Sequence, residues 1–307
     1  MRRLDAVHLA LMCMALAVAY LVPFELLLLA YVVLGPAHYL TEISWLHGRK
    51  YFLPHPSIPL MLCVVGLTAA FITDGYWFGV LFWGTFVACA IFAAATAMQS
   101  MVWLMVAGAV TIFVLAPGSN FIVLATLLPT LIHVSLFTLV FMVLGAWRAG
   151  SKGQALLVAV YVVSIVLIVA LPPSEATAIP KFAEAARDYF GGVAPALGRV
   201  TGIPNLTLDG RFAGLLAFIY TYHYLNWFIK AEITGWFDMS KTRLAVVGAA
   251  SAASTALYFY DYALGFIVLL MLSLLHVVLE FPLNTIALRQ LGTMATQSVM
   301  QRVRQRA

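Results

Sequence analysis

Four of the seven histidines in this chain lie deep within long apolar stretches of the sequence. They are His38, His133, His223 and His276. Glu42 follows the first of them by four residues and Glu280 follows the last by four, so each glutamate shares a helix face with a histidine if these stretches are helical. Ionisable side chains in apolar surroundings are costly unless they are paired, and they usually mark a site. Because imidazole nitrogen is a common ligand of iron, zinc and copper, these residues predict a metal centre.

The stretches that contain these residues have the composition of membrane-spanning helices. The chain has 307 residues, of which 64% are hydrophobic and 9% charged, whereas a soluble domain carries about a quarter charged residues. A spanning helix needs about 20 apolar residues. Ten stretches come close to that length: 4–22, 24–43, 57–73, 76–98, 101–117, 119–146, 154–172, 211–233, 243–260 and 263–283. The sequence therefore predicts an all-α polytopic integral membrane protein with about ten transmembrane helices.

The distribution of lysine and arginine predicts the orientation of these helices. With the N- and C-termini inside, thirteen of the 17 basic residues fall on the inner face, as the positive-inside rule requires. The basic residues are thus explained by topology and do not indicate nucleic-acid binding. We expect a single transmembrane domain over 1–307, with an outer-face amphipathic connection at 173–210 and a basic inner-face tail at 287–307. The compact loops favour a bacterial inner membrane.

In this topology the four histidines lie at one depth. His38 and His133 are fourteen residues from the outer start of their spans, His223 twelve and His276 thirteen, which corresponds to roughly 18–21 Å at 1.5 Å per residue. All four spans run from outside to inside. The sequence therefore predicts that four imidazoles from four helices meet in one layer.

Other side chains near this layer are candidates for supporting roles. Metal-bound histidines generally donate their second ring N–H to a carboxylate or carbonyl. Glu42, Glu280 and Asn226 are predicted to act in this way, with the glutamate–histidine pairing left open, and the two glutamates are also the candidate catalytic groups. An aromatic-rich stretch around His223 is predicted to line an apolar substrate pocket; its members are Tyr220, Tyr222, Tyr224 and Trp227. Pro36 and Pro129 predict helix kinks beside the centre.

Three kinds of function fit this pattern. The leading hypothesis is a non-haem Fe(II) oxygenase acting on a lipid or polyene. The second is a zinc-dependent lipid hydrolase, in which Glu42 or Glu280 is the base and one histidine is dispensable. The third is a non-enzymatic membrane subunit or transporter whose buried histidines and glutamates relay protons or tie helices together. A haem is a further alternative, but a single layer accommodates one bis-histidine haem and leaves two histidines without a role.

A family resemblance favours the first hypothesis. The stretch Gly35-Pro-Ala-His-Tyr-Leu-Thr-Glu42 is similar in order to the Gly-x-Pro-His-Gly-x-x-Asp-type motif of the bacterial membrane beta-carotene 15,15'-dioxygenase family. The later stretch His276-Val-Val-Leu-Glu280 resembles that family's His-x-x-x-acid pattern. In both stretches this chain has glutamate as the acidic residue. The resemblance implies an iron site of the four-histidine type and an apolar polyene as substrate.

Overall fold

The computed structural model describes residues 3–49, 130–173, 187 and 210–306, and every regular element within them is helical. The helices are α1 (Arg3–Leu21), α2 (Pro23–Leu29), α3 (Gly35–Gly48), α4 (Thr138–Ala149), α5 (Lys152–Ala170), α6 (Gly210–Ile229), α7 (Ala231–Thr234), α8 (Lys241–Tyr260) and α9 (Tyr262–Arg306). Two π-helical segments, Ala30–Leu34 and Ile132–Phe137, lead directly into α3 and α4. The predicted all-α architecture is confirmed for this part of the chain.

Local sequence signals account for the breaks between helices. Pro23 occupies the first turn of α2, where its missing N–H costs nothing, and so begins a new helix after α1. Gly150 ends α4 at a φ of 55°, a left-handed conformation that glycine adopts without strain. Ser151 then caps α5 through its hydroxyl, and Ser240 caps α8 in the same way.

Four helices in the described ranges are long and apolar enough to cross a membrane: Arg3–Leu21, Pro23–Gly48, Ile132–Ala149 and Lys152–Ala170. On α5 the buried residues form one stripe, Leu157, Tyr161, Ser164 and Ile168. Large apolar residues such as Val163 and Val166 are more than half exposed on its other side. An apolar exposed face of this kind suits contact with lipid chains. These helices indicate a membrane protein. The number of ten spans stays a prediction.

Several predicted segments lie outside the described residues. The spans predicted at 57–73, 76–98 and 101–117 fall wholly outside them, as do Pro129 and nearly all of the 173–210 connection. The stretches predicted at 211–233 and 243–260 correspond to α6 and α8. The predicted basic tail is helical where it is described, because α9 continues without a break from Tyr262 to Arg306.

Helix α6 lies at the centre of the described bundle. It packs against α1, α2, α5 and both π-helical segments. Residues on all sides of it are buried, including Phe218, Ile219, Tyr220 and Thr221 in sequence, which is the pattern of a helix surrounded by protein. Helices α3, α8 and α9 pack together on one side of this centre.

The first π-helical segment is stabilised from a neighbouring helix. Pro36 has no N–H to donate to the carbonyl of Val32, four residues earlier. Thr255 on α8 donates its hydroxyl to that carbonyl at 2.9 Å, and Ser251 donates to the Pro36 carbonyl at 3.4 Å. Two carbonyl oxygens of the irregular backbone before His38 thus have hydrogen-bond donors within the protein, which a membrane interior requires of its backbone groups.

Candidate metal centre

The four histidines predicted as ligands come together in the interior of the bundle. His38, His133 and His276 are at most 1% exposed and His223 is 9% exposed. Their rings form a closed cycle in which His38 neighbours His223 and His276, and His133 neighbours the same two. The centroids of neighbouring rings are 4.7–5.2 Å apart and the ring planes cross at 76–84°. The predicted single layer of imidazoles is thus present.

The nitrogen atoms of these rings converge on a common point. His38 Nε2 lies 3.1 Å from His223 Nε2, and His276 Nε2 lies 3.2 Å from His133 Nε2. One nitrogen from each ring falls within a group whose members are all within 4.8 Å of one another. Metal–nitrogen bonds of 2.0–2.1 Å place adjacent ligand atoms about 3 Å apart. The cluster therefore has the composition and spacing of a four-histidine metal site.

Helical irregularities sit next to two of the ligands. The segment Ile132–Phe137 is π-helical and contains His133, and Ala30–Leu34 ends one turn before His38. Single π-helical turns inside α-helices are frequent at functional sites, because the extra residue re-aims the following side chains. These segments allow histidines on separate helices to point at one centre.

A threonine fixes the orientation of one ligand. Thr138 Oγ1 lies 2.7 Å from His223 Nδ1. When Nδ1–H donates to the hydroxyl, Nε2 keeps its lone pair directed at the other three rings, as metal binding requires. Thr138 follows His133 by five residues, a spacing that puts the two on different faces of a regular α-helix. The π-helical segment between them brings both side chains towards α6.

The two predicted glutamates lie at the centre, but they contact different histidines in different ways. Glu42 Oε2 is 3.0 Å from His38 Nε2, within the same helix. Glu280 Oε2 is 2.8 Å from His133 Nδ1, on another helix, and accepts a hydrogen bond from Asn284 at 3.4 Å. These two atoms are close, but their arrangement does not meet the angles of a hydrogen bond. Both carboxylates are buried, with 3% and 5% exposure.

Aromatic side chains surround the histidines, and the residues predicted to line a substrate pocket divide into two groups. Tyr224 lies against His38 with a centroid separation of 4.9 Å, and Trp227 lies 5.8 Å from the same ring. Tyr220 contacts Tyr224 edge-on and stands one layer further out. Tyr222 points away from the centre, towards His8, whose Nδ1 is 3.4 Å from its hydroxyl.

One aromatic neighbour of the centre, Tyr39, was not predicted from the sequence. Its ring stacks on His276 at 4.3 Å, and its hydroxyl hydrogen-bonds to that of Tyr224. A tyrosine directly after His38 gave no signal of its own, because adjacent residues on a helix point to different faces. The third residue predicted to support a ligand, Asn226, is half-buried, and its Oδ1 has no hydrogen-bond partner among the residues that the structure describes.

Replacement of Thr138 by valine is expected to weaken metal binding by about 10–100-fold, the usual effect of removing a group that orients a ligand. Valine keeps the shape of the side chain but cannot accept the N–H of His223. The dissociation constant for the metal, measured by competition with a chelator, tests this expectation. Thr138→Ser keeps the hydroxyl and should bind within a fewfold of the unchanged protein. Equal affinity for the valine variant would contradict the orienting role.

The chain was compared with family models, curated proteins and solved structures, and none of them matches it. The functional conclusion therefore rests on the site. Four buried histidines from four helical segments form a cluster that can hold a metal ion inside a membrane protein.

Proposed function

We propose that this chain is a membrane-embedded non-haem iron oxygenase that acts on an apolar substrate, a polyene or another lipid. The observation that carries the proposal is the convergence of four buried imidazoles on one point. Imidazole nitrogen suits iron, zinc, copper and nickel, so four buried donors of this kind favour a transition-metal ion.

The number of ligands favours iron over zinc. Catalytic zinc sites generally have three protein ligands and keep the fourth tetrahedral position for water. Four imidazoles would fill a tetrahedral zinc ion and leave no position for the water that hydrolysis needs. Non-haem iron(II) accepts more ligands and therefore keeps open positions in a four-histidine site.

The arrangement of the rings argues against a haem. A macrocycle needs an open plane between two axial ligands. Here the four rings contact one another around the whole cycle, with no neighbouring pair of centroids more than 5.2 Å apart. A porphyrin would have to displace two of the four histidines, so a single ion fits the donor set better.

The surroundings of the cluster favour an apolar substrate. Tyr39, Tyr224 and Trp227 form an aromatic wall against His38 and His276, and small-molecule sites are mostly apolar with a few placed polar groups. The resemblance of the segments around His38 and His276 to the beta-carotene dioxygenase family supports a polyene. Bound iron would supply the capacity to activate dioxygen. The aromatic wall would hold the substrate and exclude water, while Glu42 and Glu280 would hold charge beside the ligands.

Metal analysis of the detergent-purified protein, prepared without chelators, tests the proposal. We expect about one iron per chain by plasma mass spectrometry, with no Soret band in the optical spectrum. Oxygen uptake on addition of beta-carotene in detergent should then depend on the iron. Zinc in place of iron would favour a hydrolase, and a Soret band would favour a haem. Protein without metal would favour helix ties or a proton relay.

A further inference from the structure

We propose that Glu42 is a fifth protein ligand of the metal, whereas Glu280 acts on His133 from outside the coordination sphere. This inference rests on the metal site proposed above and deepens it. The sequence predicted that both glutamates orient ligands, whereas here each of the two has a different role.

The two glutamates differ in the ring nitrogen that they approach. Glu42 lies at 3.0 Å from Nε2 of His38, the same atom that faces His223 Nε2 at 3.1 Å. A carboxylate that only orients a ligand must contact the other nitrogen, the one that points away from the metal. Glu42 is on the metal side of its histidine.

Glu280 approaches the opposite ring nitrogen of its histidine and so provides a comparison for Glu42 within the same cluster. His133 directs Nε2 at His276, at 3.2 Å, and its opposite nitrogen, Nδ1, lies 2.8 Å from Glu280. Glu280 is therefore behind its histidine, on the side where an orienting carboxylate lies, although the two atoms do not have the angles of a hydrogen bond. Asn284 on the next turn donates to the same Glu280 oxygen at 3.4 Å, which satisfies part of its hydrogen-bonding capacity.

The contacts of His38 Nε2 cannot all be hydrogen bonds. This nitrogen carries at most one hydrogen, yet two groups approach it at hydrogen-bonding distance. Glu42 Oε2 is buried and lacks a hydrogen-bond partner within the described ranges. A cation between His38, His223 and Glu42 would account for both contacts of this nitrogen.

The distances match those of adjacent ligands on one ion. Metal bonds of about 2.0–2.2 Å to nitrogen and carboxylate oxygen give neighbouring donor atoms a separation of roughly 3 Å. The 3.0 and 3.1 Å contacts of His38 Nε2 both have this length. The donor set is then four nitrogens and one oxygen, which leaves one position of a six-coordinate ion for an exogenous molecule. A carboxylate ligand also favours Fe(II) or Mn(II) over Cu(I), which prefers softer donors.

Titration of the metal-free protein with Co(II) tests the inference, because cobalt reports its coordination in the visible spectrum. The variants to compare are Glu42→Gln and Glu280→Gln, which have the same change of charge and size in the same cluster. We expect Glu42→Gln to shift the cobalt bands and to weaken binding by more than about 100-fold. Glu280→Gln should leave the bands in place and weaken binding by about 10–100-fold, as for other orienting groups.

A third variant, Glu42→Asp, keeps a carboxylate and is the control for a folding defect caused by substitution at this position. It should recover part of the lost affinity if the carboxylate is a ligand. The inference is wrong if the spectrum of Glu42→Gln, like that of Glu280→Gln, is the same as that of the unchanged protein. It is also wrong if the unchanged protein binds two ions per chain. Failure of the unchanged protein to bind any cobalt would instead contradict the metal site itself, so the two failures can be told apart.

Discussion

Replacement of any one of the four cluster histidines by alanine is expected to reduce bound iron from about one ion per chain to less than a tenth of that value. Removal of a group that merely orients a ligand costs 10–100-fold in affinity, and removal of the ligand itself should cost more. Truncation to alanine also leaves a cavity among buried rings. Metal content of His38→Ala, His133→Ala, His223→Ala and His276→Ala, purified in parallel, measures the effect.

Two other histidines supply matched controls. His47 is exposed near the end of α3, and His8 is 5% exposed but lies beside Tyr222, away from the cluster. Alanine at either position should leave the metal content unchanged. His8→Ala is the stricter control, because it also removes a buried imidazole from an apolar helix and so reports any general effect of such a loss.

The pattern over the four variants separates the candidate functions. A four-histidine iron site requires that each variant loses metal. A zinc hydrolase needs only three protein ligands, so one of the four variants should keep its metal. If all four retain metal, the cluster is not the binding site. If the unchanged protein has none, the histidines are better explained as helix ties or as a proton relay.

The location of the centre could be predicted from the sequence because membrane helices have a simple geometry. Each residue adds 1.5 Å of rise, and the ends of apolar stretches mark the bilayer surfaces. The depth of His38, His133, His223 and His276 then follows from counting, to within about one turn. The structure brings all four together with ring nitrogens within 4.8 Å of one another, although the spans at residues 57–117 lie outside the described part of the chain.

The details of the centre could not be predicted in this way. Which ring nitrogen a glutamate contacts depends on side-chain rotation and on the distance between helices, and neither follows from the spacing of Glu42 or Glu280. The partnership of Thr138 with His223 depends on a π-helical segment. Such segments arise from packing and have no reliable sequence signature. The stacking of Tyr39 on His276 likewise depends on how α3 meets α9.

The same limit applies to the direction of the aromatic residues on α6. Alternation of tyrosines along this helix sends Tyr224 towards His38 and Tyr222 towards His8. The aromatic content of the sequence around His223 predicted aromatic neighbours for the centre, but not which of the rings point towards it. Because α6 is surrounded by other helices, its aromatic residues serve both the centre and the packing on the opposite side. Of the four aromatic residues predicted to line an apolar pocket, Tyr224 and Trp227 contact the centre, and the pocket itself stays a prediction.

Among the glycines that the structure describes, replacement of Gly265 by alanine is expected to have the largest effect on folding. A Cβ atom at this position would lie 2.2 Å from Tyr258 Cα and 2.6 Å from Tyr258 N. Both are backbone atoms of α8 and cannot rotate away. Overpacking typically costs 1–3 kcal/mol, and occasionally more, so a rigid backbone contact should fall at the upper end. We expect the thermal midpoint in detergent to fall by about 5 °C or more.

The same change at Gly248 is the control, because a Cβ atom there meets no atom of the described residues within 4 Å. Alanine is the better helix former by about 1 kcal/mol, so Gly248→Ala should leave the midpoint unchanged or raise it. Gly265 precedes His276 by eleven residues, about three turns of α9. Separation of α8 from α9 at their turn should therefore also move His276 and weaken metal binding. A Gly265→Ala protein with unchanged midpoint and metal affinity would show that the close α8–α9 contact does not position the centre.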